Sequence, residues 1–353
     1  MRLNYLLDDT VLFGGVKVVL LQANLLAERG HQVTVTSRGP RPDWFDLRTE
    51  FLRVEQFTRD TVPSADVTVA TYWTTIAAAL DCATHQAVHY CQGLEYTYTH
   101  NTSDHPAIEA AYRLPLPAFV VSEHLGPILS TRFDRPSRLV LQPLERFWKP
   151  SPLRRWKRRP GHPPRILVTG PWEGDWKGVR TGLEAVRHLR SGGRNLQLIR
   201  LSQYPLRDEE RAVCRPDEYH HHLKPEMAAQ LVQGCDLLLA PSWEQEGFGL
   251  PTLEAFAAGV PVLASDISSF RAFASEAAVL VPPEDPQAFA GAAETLLDDP
   301  GLWRARRSSG FATAEQFSLD RAARSAEEAF EWATSGRWRL GTEASHALKD
   351  APP

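Results

Sequence analysis

The stretch DLLLAPSWEQEGFGLPTLEAFAAGVPVLASD, residues 236–266, decides the fold. It reads as an apolar strand, a glycine-bearing loop, a helix opened by Pro251 and a second apolar strand. Two strands joined through a helix form the unit of a wound α/β domain with a parallel sheet. Gly247 and Gly249 let the backbone approach a ligand closely, and Pro251 suits a first helical turn, where its missing N–H costs nothing. The N–H groups of residues 248–252 then sit at the positive end of a helix dipole, which suits a phosphate. Glu246 precedes the loop, and Glu254 is expected in the first helical turn. A carboxylate held there accepts two hydrogen bonds at once, matching the vicinal hydroxyls of a sugar.

The same alternation runs outward in both directions. Strands are expected at 2–7, 31–37, 67–71, 86–91, 118–122 and 138–142, with helices at 16–29 and 73–82 and a turn at Gly14-Gly15. A second series of strands begins at 165–170 and continues through 196–202, 236–241, 262–266 and 277–282. Residues 286–335 read as successive helices with no strand among them. Between the two series, WKPSPLRRWKRRPGHPP (148–164) combines five prolines with six basic residues and reads as an exposed linker. The expected organisation is therefore a domain at 1–147, a linker at 148–164, a domain at 165–335 and a polar tail at 336–353. Length alone, 353 residues, also allows one large α/β barrel, but two series around a linker favour two domains facing a cleft. Ligands of such sheets bind beyond the carboxyl ends of the strands.

Composition narrows the class. Hydrophobic residues at 43% and charged residues at 23% are ordinary for a globular chain. A net charge of −4 supplies no basic field for nucleic acid. Cys82, Cys91, Cys214 and Cys235 are widely spaced, which suits a reducing compartment, and the N-terminal apolar run is broken by Asp8 and Asp9. No apolar run approaches the ~20 residues that span a bilayer. A cytoplasmic protein is expected. Lysine is scarce, six of 39 basic residues, so each lysine is informative.

With these residues in view, PSWEQEGFGLPTLEAFAAGVPVLASD resembles the donor-site signature of retaining glycosyltransferases of the GT-B fold, family 4, and Glu246 to Glu254 has its E-x7-E spacing. The likeness extends from FGGVKVVLLQANLLAERGHQVTVTS (13–37) to AAVLVPPEDPQAFAGAAETLLDDP (277–300). It implies two Rossmann-like domains, the first binding an acceptor and the second a nucleotide-diphosphate sugar, with C-terminal helices that pack back on the first domain. It further implies Glu246 on the donor sugar, Glu254 on the ribose, and the backbone of Gly247, Phe248, Gly249 and Leu250 against sugar and phosphate. No metal or other cofactor is implied, and the chain holds neither a D-x-D pair nor H-E-x-x-H.

In TGPWEGDWKG (169–178), Gly170 and Lys177 match the family's diphosphate turn, but its arginine is absent, with Pro171 or Trp172 in its place. Arg180 is the candidate substitute. Gly14 and Gly15 match the loop that the family sets against phosphate and acceptor. In AVHYCQGLEYTYTH (87–100), Gln92 stands where many relatives carry His-Asp. Gln92 followed by Glu95 resembles a subset that includes some bacterial rhamnosyltransferases, so Gln92, Glu95 and Tyr96 form the expected acceptor region. Tyr90, Tyr96 and Tyr98 are candidates for stacking on sugars, while His89 reads as a core residue. EYHHHL (218–223) reads as a strand whose histidines alternate between faces, not as a metal site. LRRWKRR (153–159) reads as a solvated linker or as a contact with anionic lipid at the inner membrane face. The expected activity is sugar transfer to a glycan, lipid-linked or small-molecule acceptor in bacterial glycan synthesis. The alternatives are a nucleotide-sugar epimerase and a catalytically silent binding subunit.

Overall fold

Apolar runs with no alternation become parallel strands buried on both faces. The strands of the first unit are β1 (Arg2–Leu7), β2 (Gln32–Ser37), β3 (Glu50–Arg53), β4 (Val67–Ala70), β5 (Gln86–Cys91), β6 (Ala118–Val120) and β7 (Ser137–Leu139), of which the edge strands β3 and β7 are only half-buried. They form one sheet in the order β3-β2-β1-β4-β5-β6-β7, every pairing parallel. Its helices are α1 (Gly14–Glu28), α2 (Trp73–Cys82), α3 (His105–Tyr112) and α4 (Leu125–Phe133). The computed structural model describes residues 1–151 and 162–339, and the chain divides into two units, Met1–Pro143 with residues from Leu319 on, and Leu144–Ser318.

The second unit holds β8 (Arg165–Thr169), α5 (Val179–Ser191), β9 (Gln197–Ser202), α6 (Asp208–Val213), β10 (Glu218–His221) and α7 (Pro225–Gln233). It continues through β11 (Leu237–Ala240), α8 (Leu250–Ala258), β12 (Val262–Ser265), α9 (Ser268–Phe273), β13 (Val279–Val281), α10 (Pro286–Asp298) and α11 (Pro300–Glu315). The strand order is β10-β9-β8-β11-β12-β13, again parallel throughout. In each sheet the order reverses beside the first strand, so the carboxyl ends of β1 and β4, and of β8 and β11, flank a topological switch point.

Three differences from the sequence reading have physical reasons. The helices of 286–335, expected within the domain at 165–335 with the C-terminal ones packing back on the first domain, divide between the units: α12 (Leu319–Thr334) belongs to the first, where Ala322, Ala323, Ala326, Ala329, Phe330 and Ala333 form a buried stripe. Phe330 lies edge-on to Tyr5 of β1 at 6.4 Å and to Phe119 of β6 at 5.1 Å. The linker does not start as exposed chain, since Trp148 is buried and its Nε1 donates to Glu145 Oε2 at 3.1 Å. Residues 152–161 of that linker, including the basic run at 153–159, and residues 340–353 of the tail lie outside the described residues. Finally, Gly14-Gly15 is not a turn before α1 but its first turn.

The four cysteines are buried. Removing the Phe330 ring should cost the first unit about 3–5 kcal/mol, the range for deleting a buried aromatic side chain. A Phe330→Ala denaturant midpoint unchanged from the parent would refute the place given to α12.

Candidate functional site

At the switch point of the second unit, two loops that follow adjacent strands are joined by backbone. Trp243 N donates to the Trp176 carbonyl at 2.7 Å, linking the loop after β11 to the turn after β8. Gly178 stands at φ 60°, and a Cβ there would lie 1.8 Å from the Pro241 carbonyl oxygen. Only glycine permits both the backbone angle and the contact. Gly170, at φ 107°, packs on the aliphatic stem of Lys177, where an added Cβ would lie 3.3 Å from its Cβ.

This junction sets the ion pair. Lys177 Nζ lies 2.7 Å from Glu246 Oε2, and Ser242 Oγ donates to the same oxygen at 3.0 Å. Glu246 is buried and Lys177 three-quarters so. A carboxylate out of water holds a charge only with such donors. Next to it, Gly249 at φ 91° opens α8 with no side-chain cap; Pro251 has no N–H and Thr252 N donates to the Gly249 carbonyl at 2.9 Å, so a ligand or solvent can take only the N–H groups that remain at this end. Phe248 contributes backbone rather than ring: its side chain is buried and stacks on Phe273 at 4.3 Å. Gly247 is buried and Leu250 half-buried. Glu254 is half-buried and opens the second turn of α8, not the first, because the helix starts at Leu250.

Arg180, exposed on α5, places its guanidinium 5.0 Å over the ring of Trp172, one of the two residues, with Pro171, that stand where the family has its arginine. Sequence reasoning missed Arg200. It is fully buried, paired with Glu210, and donates to the Val168 carbonyl at 2.6 Å and the Gly170 carbonyl at 2.9 Å. It thereby fixes the carboxyl end of β8. A lone charged residue inside the apolar run LQLIRLS was the available signal.

In the first unit, Gly15 and Gln92 come together: a Cβ on Gly15 would lie 3.2 Å from Gln92 Nε2. Glu95 and Tyr96 do not join them at a surface. Glu95 is buried and accepts from the Tyr112 hydroxyl, and burial outweighs that bond to raise its pKa to about 7. Tyr96 is buried between Tyr112 and Phe133 with Arg132 4.3 Å over its ring, and Tyr90 is fully buried, so neither can stack on a sugar. The chain after β5 folds back in a short 3₁₀ turn at Glu95–Thr97, which turns these side chains inward. Tyr98 is half-buried and stacks on His100. His89 is a core residue: its Nδ1 lies 3.2 Å from Arg135 Nη1, and burial, then the Arg135 charge, push its pKa well below the usual value.

His220 and His221 lie on β10, and no group of three or more metal-binding side chains occurs among the described residues. A cavity of about 430 Å³ in the second unit, bordered by Arg165, His220, Met227 and Gly234, contains none of the candidate residues.

Residues 163–299 match the family model for Glycosyl transferases group 1. The lipopolysaccharide core biosynthesis mannosyltransferase LpsB of Rhizobium meliloti is 35% identical over 105 residues, which is 28% of this chain and 29% of that protein. The chain thus spans less than a third of that relative. Sucrose-phosphate synthase from Thermosynechococcus elongatus superposes with a TM-score of 0.75 at 18% identity, covering 95% of this chain and all of the other. Anabaena HepE in complex with UDP-glucose gives 0.75 at 14% identity, covering 92% and 98%. These likenesses show the GT-B fold.

Because Gly178 sits under a carbonyl at positive φ, Gly178→Ala should lower stability by roughly 1–3 kcal/mol from the backbone angle alone. Urea denaturation checks it, and a neutral result would mean that the two loops are not held as described.

Proposed function

We propose, from the match of residues 163–299 in the second unit to the model for Glycosyl transferases group 1, that the protein is a retaining glycosyltransferase. It transfers a sugar from a nucleotide-diphosphate sugar to an acceptor hydroxyl in bacterial glycan or glycoconjugate synthesis. The observation that carries this reading is the buried Glu246, bonded to Lys177 and Ser242, beside the uncapped start of α8.

Each group has a task in the reaction. The first-turn N–H groups of α8, with the helix dipole, receive the diphosphate. Lys177 offsets the charge that grows on the leaving phosphate as the anomeric C–O bond breaks. Glu246 orients the sugar through its hydroxyls, and Glu254 takes the two ribose hydroxyls. The acceptor oxygen forms the new bond on the same face of the sugar, and its proton passes to the departing phosphate oxygen. This route needs no separate protein base and uses fixed protein charges rather than a metal ion. Arg180, raised on Trp172, supplies the second cation that the family takes from the missing arginine. In the first unit, Gly14, Gly15 and Gln92 belong to the acceptor side, which receives a glycan, lipid-linked or small-molecule hydroxyl.

A cytoplasmic setting, at the inner face of the membrane when the acceptor is lipid-linked, is part of the same proposal. No helix among the described residues is long and apolar enough to cross a membrane.

Calorimetry with UDP-, GDP- and dTDP-sugars should find one donor bound. Glu254→Ala should weaken it about ten- to a hundredfold, the loss of hydrogen bonds to a charged group; undiminished affinity would remove Glu254 from the site. Lys177→Met should slow turnover by roughly 10²–10³ while changing donor affinity less, because its charge matters most in the transition state. Equal losses in kcat and affinity would make Lys177 a binding residue only. Epimerised donor without transfer, or binding without turnover, would replace the transferase reading.

A further inference from the structure

Behind Gln92 lies a buried polar cluster that the proposed reaction does not use. Tyr112 of α3 has a single hydroxyl proton and two acceptors for it, the Gly93 carbonyl at 2.9 Å and Glu95 Oε2. Cys91 Sγ also donates to the Gly93 carbonyl, at 3.1 Å, and as a thiol it is a weak donor. Gly93 directly follows Gln92, whose amide is packed on Gly15. A Cβ at Gly93 would lie 2.1 Å from the Tyr98 hydroxyl, so any other residue there would require the Tyr98 side chain to shift. The position of the Gln92 turn therefore depends on which acceptor receives the Tyr112 proton.

That choice is set by the state of Glu95. An ionised carboxylate is the stronger acceptor and draws the phenol proton to itself, leaving Gly93 to the cysteine. A protonated Glu95 instead donates its own O–H to Tyr112 Oη, and the phenol proton passes to Gly93, so that every donor and acceptor is used. We propose that Glu95 is a positioning residue whose carboxyl proton, relayed through Tyr112, locks the Gln92–Gly93 turn, and whose deprotonation releases it. The importance of this lock for transfer rests on Gln92 belonging to the acceptor side.

The surroundings favour the protonated form near neutrality. Glu95 faces Tyr112 of α3, Cys91 of β5 and Arg135 after α4, while Asn101 Nδ2 donates to its backbone carbonyl at 3.5 Å and Tyr72, leading α2, lies beyond Asn101. His89, on the far side of Arg135, is neutral. Arg135 is the cation of the cluster and favours ionisation, but its guanidinium is committed to the carbonyls of Leu116 and Pro117 and to His89. Burial prevails over its attraction and over the Tyr112 bond, raising the pKa from 4.5 to about 7.

The sign follows by linkage. Between pH 4.5 and about 7 the folded chain keeps a proton that the unfolded chain has released, so stability is full below this window and falls as pH rises through it. The folding equilibrium constant should drop on the order of a hundredfold across the window. Glu95→Gln keeps a donor toward Tyr112 and should flatten that profile.

The deciding measurement is an NMR titration of the full chain with labelled glutamate and glutamine side chains. The Glu95 carboxyl should titrate near pH 7, and the Gln92 amide signals should move with the same midpoint; in Glu95→Gln the Gln92 signals should stay still. A Glu95 midpoint in the ordinary carboxylate range would overturn the proposal. So would a Gln92 amide that ignores the titration of Glu95, since that makes Glu95 structural only. Should the Gln variant fail to fold, the wild-type titration alone decides. No substrate is needed, so absence of sugar transfer would count against the proposed activity and not against this lock.

Discussion

The hydrogen bond from Trp243 N to the Trp176 carbonyl is the constraint on which the second unit's chemistry depends. Adjacent parallel strands deliver their following loops to the same end of the sheet, but they do not dictate that the loops touch. Here the touch is enforced twice, by that bond and by Gly178 lying directly under the Pro241 carbonyl. With the backbones fixed, Lys177 and Glu246 meet at 2.7 Å without either side chain having to find the other. Arg200 extends the same rigidity downward, tying the ends of β8 to a buried carboxylate on α6. A buried ion pair is weak evidence of stabilisation. Its value here is geometric, because it holds two carbonyls at the edge of the site in one place.

Most of the fold was legible because burial on both faces writes itself as continuous apolar runs, and nearly every expected strand appears within a residue or two of its place. The edge strand β3, EFLR, escaped notice because its ends are charged and exposed and it has no period to read. The place of α12 came only from the resemblance, which implied C-terminal helices packing back on the first domain. Its alanine stripe announces that something covers it but does not say which sheet does so. The linker reading erred at Trp148, where a run of proline and basic residues masked one anchored aromatic.

The donor side was legible because its demands fall on the backbone. Positive φ at Gly170, Gly178 and Gly249 and a proline in the first turn of α8 leave marks that only glycine and proline can make. The acceptor side was read less well. Glu95, Tyr96 and Tyr90 carry the chemistry a sugar site would want, yet polar and aromatic side chains are equally what a satisfied interior needs. The 3₁₀ turn after β5 decides between the two, and it is too short to have a sequence signature. What survives at the turn is Gln92 against Gly15, recognisable only because one partner lacks a Cβ.

The lost arginine joins these threads. A guanidinium in the turn after β8 would be held by that turn's own backbone, whereas Arg180 approaches from the first turns of α5 and depends on Trp172 for its direction. In the proposed reaction the indole is a support for a relocated charge, and it packs against the core of the second unit. A cation braced by an aromatic ring keeps its donors facing outward while losing little rotamer entropy, because the planar guanidinium stacks on a surface already in place. On the proposed reading, replacing a backbone-held arginine with a ring-held one keeps the charge near the turn after β8 and changes the direction from which it arrives. The chain's shortage of lysine then has a structural counterpart: one lysine, fixed by the junction of two loops, and one arginine, stacked on a tryptophan, are held by different routes for the task proposed for both.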